Sequence, residues 1–124
     1  MPMAVQTAVR YERKDARRAI DEAKKNLGLN NGELAKLLDV DRRTILRYSR
    51  EATAPSEDVR ARIQALRDLF YLLDQVFPTN DAAKDWLYSP VPSLRARRPI
   101  DLLRAGKLDE VVSELAGLDA GVFT

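Results

Sequence analysis

From Asn30 to Arg50 the chain reads NNGELAKLLDVDRRTILRYSR, and this stretch decides the fold. Two short amphipathic segments meet there at a four-residue break, with the spacing of a helix-turn-helix. Ala35 falls where the two helices would cross and only a small side chain fits. Asp39 follows four positions later at the tight turn. Ile45 comes six further on, where a branched apolar residue plugs the gap between the helices. Leu34, Leu38, Val40 and Tyr48 complete the inward set. Arg42, Arg43, Arg47 and Arg50 are left outside, with no acid between residues 42 and 50. A helix that lies against nucleic acid needs such a local cation. The candidate DNA contacts are therefore Arg42, Arg43 and Arg47 in the major groove, with Arg50 and Thr44 on phosphates or groove edges.

Working outward, the flanks also read as helices. Ala16, Ile20, Ala23 and Leu27 recur at helical spacing over Tyr11 to Leu27, and Gly28 stops that helix. Asn30 followed by Glu33 reads as a capping-box variant, and Asp41 can cap the second helix through the amide of Arg43 or Thr44. Pro55-Ser56-Glu57-Asp58 opens a longer helix with acid in its first turn. Val59, Ile63, Leu66, Leu69, Phe70, Leu73 and Val76 form its apolar stripe, and Phe77-Pro78 ends it. Beyond lies a short helix capped by Thr79 or Asn80, with Ala83, Trp86 and Leu87. The proline-broken stretch Ser89-Pro90-Val91-Pro92 and a basic run, Arg95, Arg97 and Arg98, follow. A helix begins at Pro99, and a last one runs from Asp109 to Leu118. No strand pattern appears. The expected fold is all-α, with six to seven helices in two small units. Residues 1–77 form the helix-turn-helix region and residues 78–124 a small C-terminal helical region, joined by the Ser56–Phe77 helix.

Composition bounds the function. With 124 residues, 45% of them apolar and 32% charged, the chain fits one domain or two very small ones. Net charge is only +2, but residues 1–70 carry 15 Lys/Arg against 11 Asp/Glu, and residues 71–124 carry 6 against 8. A basic first part and a mildly acidic second part suggest different partners. The absence of cysteine and histidine excludes disulfides, thiol catalysis and the usual zinc sites, and fits a reducing cytoplasm. No apolar run approaches the roughly 18 residues of a membrane span, and Met1 to Arg10 lacks the apolar block of a signal peptide. Paired acids such as Asp109-Glu110 have no nucleophilic or basic partner in view. The expectation is a protein without catalysis, metal or cofactor.

From Trp86 onward the chain reads WLYSPVPSLRARRPIDLLRAGKLDEVVSELAGLDAGVF. This resembles the toxin-binding region of the Xre/MbcA/ParS antitoxins. In that family a Trp-Leu/Met pair leads to Ser/Thr-Pro-Asn, a Leu, Pro-x-Asp-Leu, a Gly, a valine helix and a final Gly-Val-Phe/Tyr. Trp86, Leu87, Ser89, Pro90, Leu94, Pro99, Asp101, Leu102, Gly106, Val111, Gly121, Val122 and Phe123 match those positions. An Xre-type helix-turn-helix upstream is also part of that family, so the resemblance covers roughly residues 27–124. Two departures fall in one loop: Val91 replaces the usual asparagine, and Arg97-Arg98 replaces a glycine-containing turn.

The resemblance implies a type II antitoxin, paired with a RES-domain toxin that destroys NAD⁺. Its C-terminal helices would cover the toxin's active-site entrance, and its helix-turn-helix would bind the operon's own promoter. The candidate toxin contacts are Trp86, Leu94, Ile100, Leu103, Val122 and Phe123, with Arg95, Arg97 and Arg98 as charge partners. A homodimer or a larger toxin–antitoxin assembly is expected, since recognition helices work in pairs on half-sites about 34 Å apart. Phe70, Tyr71 and Phe77 on the long helix are candidates for that contact, unless intrachain packing fills the stripe. The competing reading is a stand-alone repressor whose C-terminal helices dimerise or sense an effector. A third is an antitoxin whose DNA-binding unit has decayed, against which the intact arginines stand.

Overall fold

The computed structural model describes residues 2–121, with residues 2–11 described by their backbone only. Among the described residues seven α-helices follow one another: α1 Pro2–Leu27, α2 Asn31–Leu38, α3 Arg42–Ser49, α4 Glu57–Val76, α5 Asn80–Leu87, α6 Pro99–Arg104 and α7 Leu108–Asp119. One turn of 3₁₀ helix, Pro92–Leu94, separates α5 from α6. Among the described residues the only extended pairing is a single bridge between Val91 and Arg97. The all-α expectation holds. α1 begins well before Tyr11 and ends as expected, with Gly28 at φ +64.

The helix-turn-helix forms because each local choice agrees with it. Asn30 Oδ1 accepts from the amide of Glu33 at 2.8 Å while Glu33 Oε1 accepts from the amide of Asn30 at 2.9 Å, the full capping box. α2 then ends at Asp39, which sits in the left-handed region at φ 54. The Val40 amide reaches back to the Ala35 carbonyl at 3.0 Å and the Asp39 amide to that of Lys36 at 3.4 Å. This is the 6→1 and 5→2 pairing that closes a Schellman turn, normally with glycine at its left-handed position. Asp41 Oδ1 next accepts from the amide of Thr44 at 2.7 Å and starts α3. Leu34, Leu38 and Ile45 are fully buried across the turn. Each such side chain stabilises by about 1.5–3 kcal/mol relative to its exposed state.

Two further caps set the second half. Ser56 Oγ accepts from the Val59 amide at 3.4 Å to open α4, and Thr79, not Asn80, accepts from the Ala82 amide at 3.1 Å to open α5. Phe77 is extended at ψ 132, as a residue before proline must be, and α4 stops there.

The C-terminal region packs against the helix-turn-helix region through a shared core. A single hydrophobic cluster runs from Ala16 and Ile20 through Leu34, Ile45, Leu66 and Leu69 to Ile100, Leu103, Val111 and Leu115. The long helix is the reason. Its apolar residues cover too wide an arc for the helix-turn-helix alone, and α7 lies along the remainder as its most extensive neighbour. The stripe considered for dimerisation is thus filled within the chain: Phe70 is buried, Phe77 packs on Trp86, and Tyr71 stays outside. α6 also packs directly on α2. Gly106, at φ +82, lies against the Lys36 backbone there, so that a Cβ would come within 2.9 Å of the Lys36 carbonyl oxygen. Arg104 and Glu33 pair across the same seam at 3.6 Å.

Candidate functional site

α3 presents one charged face. Ile45 and Tyr48 anchor it to the core, and Arg42, Arg43, Arg47 and Arg50 are exposed on the other side. None of these four has an ion-pair partner among the described residues. Arg17, Arg60, Arg62, Arg67, Arg97, Arg98 and Arg104 are all paired with carboxylates. The four are not equivalent. The Arg42 guanidinium lies across the first turn of α2, where Gly32 leaves room for it: a Cβ on Gly32 would stand 2.7 Å from its terminal nitrogen. Arg43 and Arg47 lie close enough to Asp41 to lower its carboxyl from the ordinary aspartate range. The larger causes of that shift are the Thr44 hydroxyl and amide, which both donate to Asp41 Oδ1. Thr44, expected to touch DNA, is thereby engaged in the cap through its hydroxyl at 2.7 Å.

Leu46 was absent from the sequence reading of this face. It is 42% exposed, and lies three positions after Arg43 and four before Arg50. Its place on the outer arc of the helix is legible from the 3.6-residue period, but an apolar side chain in a short helix points first to the core.

The second candidate surface lies around the loop between α5 and α6. Trp86 is half-buried, its ring 5.6 Å from that of Phe77 at an interplanar angle of 39°. Leu94, Ile100 and Leu103 are buried in the chain's own core, so they shape this surface from beneath and do not present one. Arg97 donates from Nε to the Leu94 carbonyl at 2.8 Å and pairs with Glu110 at 3.3 Å. Arg98 forms a two-pronged bond with Asp101, 2.8 and 2.9 Å, and stacks 5.9 Å over Tyr88. That bond, ahead of simple charge attraction, raises the Arg98 guanidinium and lowers the Asp101 carboxyl from their ordinary values. Ser93 also bonds to Glu114, tying the 3₁₀ turn to α7. Of the three loop arginines, Arg95 alone is without an ion-pair partner among the described residues, and it is exposed. Arg95 and Ala96 both sit at φ 59, a left-handed pair where glycine would be unstrained. Tyr88, 43% exposed beside this loop, was also missed. Val122 and Phe123 lie outside the described residues.

Comparison with known proteins matches both regions of the chain to family models. Residues 15–67 match the antitoxin Xre-like helix-turn-helix domain, and residues 72–121 match the antitoxin Xre/MbcA/ParS C-terminal toxin-binding domain. The mycobacterial cidal antitoxin MbcA of Mycobacterium tuberculosis, and that of Mycobacterium bovis, are 31% identical to this chain over 107 residues. That alignment takes in 84% of this chain and 91% of theirs. The chain belongs to the Xre/MbcA/ParS antitoxin family. A chain of the crystal structure of the M. tuberculosis MbcT–MbcA toxin–antitoxin complex is also similar in fold. It has a TM-score of 0.55 and 27% identity, covering 87% of this chain and 96% of that one. The first family match contains α2 and α3, and the second spans the end of α4 through α7. Among the described residues no helix is long and apolar enough to cross a membrane.

Proposed function

We propose that this family member is the antitoxin of a toxin–antitoxin pair. It holds a RES-type, NAD⁺-degrading toxin through its C-terminal region, covers the toxin's active-site entrance, and represses its own operon by binding promoter DNA as a dimer. The observation that carries the DNA half is the set of four exposed α3 arginines without ion pairs, on a molecule whose other arginines are mostly paired. Bringing phosphates to such a face releases counterions and sacrifices no existing salt bridge. The toxin half rests on the match of residues 72–121 to the toxin-binding domain. Exposed Tyr88 and Arg95, with half-buried Trp86, are the surface groups offered there. Aromatic and arginine side chains are the types that dominate protein interfaces.

The stand-alone, effector-sensing repressor is less well supported. Two concavities of about 160 and 140 Å³ are too small for an effector, and those of about 590 and 410 Å³ are shallow and broadly open to solvent. A small-molecule site usually needs roughly 300–1,000 Å³.

The test is a double dissociation. The protein is co-expressed with the toxin encoded beside it, and cellular NAD⁺ and promoter binding are both measured. Arg43→Ala with Arg47→Ala should weaken sequence-specific promoter binding by about 1–3 kcal/mol per lost base contact and leave NAD⁺ protected. Tyr88→Ala with Arg95→Glu should do the reverse. If both pairs leave NAD⁺ and promoter binding as in the wild type, the proposal fails.

A further inference from the structure

Leu46 is one of three large apolar side chains left exposed among the described residues, and it sits on the arginine face of α3. At 100° per residue the outer arc of that helix runs Arg42, Leu46, Arg50, Arg43, Arg47, so the leucine is enclosed between Arg42 on one side and Arg50 and Arg43 on the other. A protein partner that buried Leu46 would also have to neutralise these unpaired cations. The major groove of duplex DNA offers both things at once: phosphates along its rims and, on its floor, the thymine 5-methyl as an apolar contact. Arg42 is drawn back over Gly32 toward α2.

We infer that Leu46 is a specificity-determining residue that reads a thymine methyl group in each half-site. This rests on the DNA-binding reading above. It adds a base identity to it: the preferred half-site contains a thymine whose methyl lies beside the guanine read by a neighbouring arginine.

Deoxyuridine provides the probe, because it pairs like thymidine and lacks only the methyl. The full-length protein is first used to select its preferred site from a pool of randomised duplexes. Each thymine of that site is then replaced in turn by deoxyuridine, and Kd is measured for the wild type and for Leu46→Ala. Losing one methyl contact corresponds to about a fourfold weaker Kd, or roughly fifteenfold if both half-sites are changed. The expected result is that one thymine position shows this loss with the wild type and none with Leu46→Ala, which binds thymine and uracil sites alike. Since Leu46 is exposed and alanine is the better helix former, the variant's circular dichroism should match the wild type. Selective binding with no uracil-sensitive position, or with the same sensitivity in Leu46→Ala, would overturn the assignment and leave the DNA-binding reading standing. Failure to select any site would overturn both.

Discussion

On α3, Arg42, Arg43, Arg47 and Arg50 stand exposed without ion-pair partners among the described residues, whereas Arg97 and Arg98, on the loop before α6, are tied to Glu110 and Asp101. Arginine density in the sequence is similar in both places. What differs is the distribution of acids. No Asp or Glu falls between residues 42 and 50, while Asp101 follows Arg98 by three positions and α7 brings Glu110 and Glu114 over the loop. A cation already bonded to a carboxylate must break that bond to meet an anionic partner. An unpaired cation on a surface gains from the first phosphate that arrives. The two basic clusters therefore differ in kind: one is left unpaired on the surface, and the other fixes the shape of a loop around Arg95, Tyr88 and Trp86.

The sharpest way to break this comparison is to remove the core that both clusters share. Leu115 is fully buried on α7 within the single hydrophobic cluster, and Leu115→Ala should destabilise the fold by about 2–5 kcal/mol. Because the cluster is continuous, unfolding should remain one transition, with DNA binding and the α5–α6 surface lost together. Two separated transitions by circular dichroism and tryptophan fluorescence would mean that the halves fold independently. The same continuity predicts that a chain cut at Pro78 would not report on toxin binding, since α4 would lose its α7 cover.

A smaller effect should come from the loop itself. Ala96 sits at φ 59 next to Arg95 at the same angle, and left-handed geometry costs an L-residue about 1–2 kcal/mol. Ala96→Gly should therefore raise the melting temperature by a few degrees, about 1 kcal/mol net of the extra chain entropy of glycine. Toxin neutralisation should stay intact if the loop's shape is held by Arg97 and Arg98. A lower melting temperature would show that residue 96 does not adopt this conformation.

Much of this was legible in the sequence because it is local. Capping boxes, left-handed turns and proline stops act over three to five residues, so the Asn30–Glu33 box, the Asp39 turn and the Phe77 stop all fall where the spacing predicts. Ion pairing between Arg97 and Glu110, 13 positions apart, depends on α7 folding back over the loop and leaves no local trace. The merging of the two halves is of the same kind. Leu94, Ile100 and Leu103 looked like a docking face because nothing in the sequence shows that their own elements already pack on α2, α5 and α7. Arg98 with Asp101 is the exception: a pair at i and i+3 beside a helix start could have been read from the sequence and was not.

The smallest expected effect separates charge from capping on the open side of the comparison. Asp41 starts α3 by accepting both the amide and the hydroxyl of Thr44 on Oδ1, and asparagine keeps an acceptor oxygen at that place. Asp41→Asn should therefore leave the helix in place near neutral pH while removing one negative charge beside Arg43 and Arg47. The folded-state carboxyl is lowered from its ordinary value, so its contribution to stability is present above the unfolded aspartate pKa and is lost as pH falls through the lowered one. In an acid titration the wild type should lose that contribution and Asp41→Asn should not, narrowing the gap between them as pH drops through the aspartate range. On DNA the variant should bind all sequences slightly more tightly, most visibly at low salt, because the phosphates no longer approach a fixed anion at the start of α3. Weaker binding at low salt with the helix intact would show that Asp41 positions Arg43 and Arg47 more than it repels phosphate.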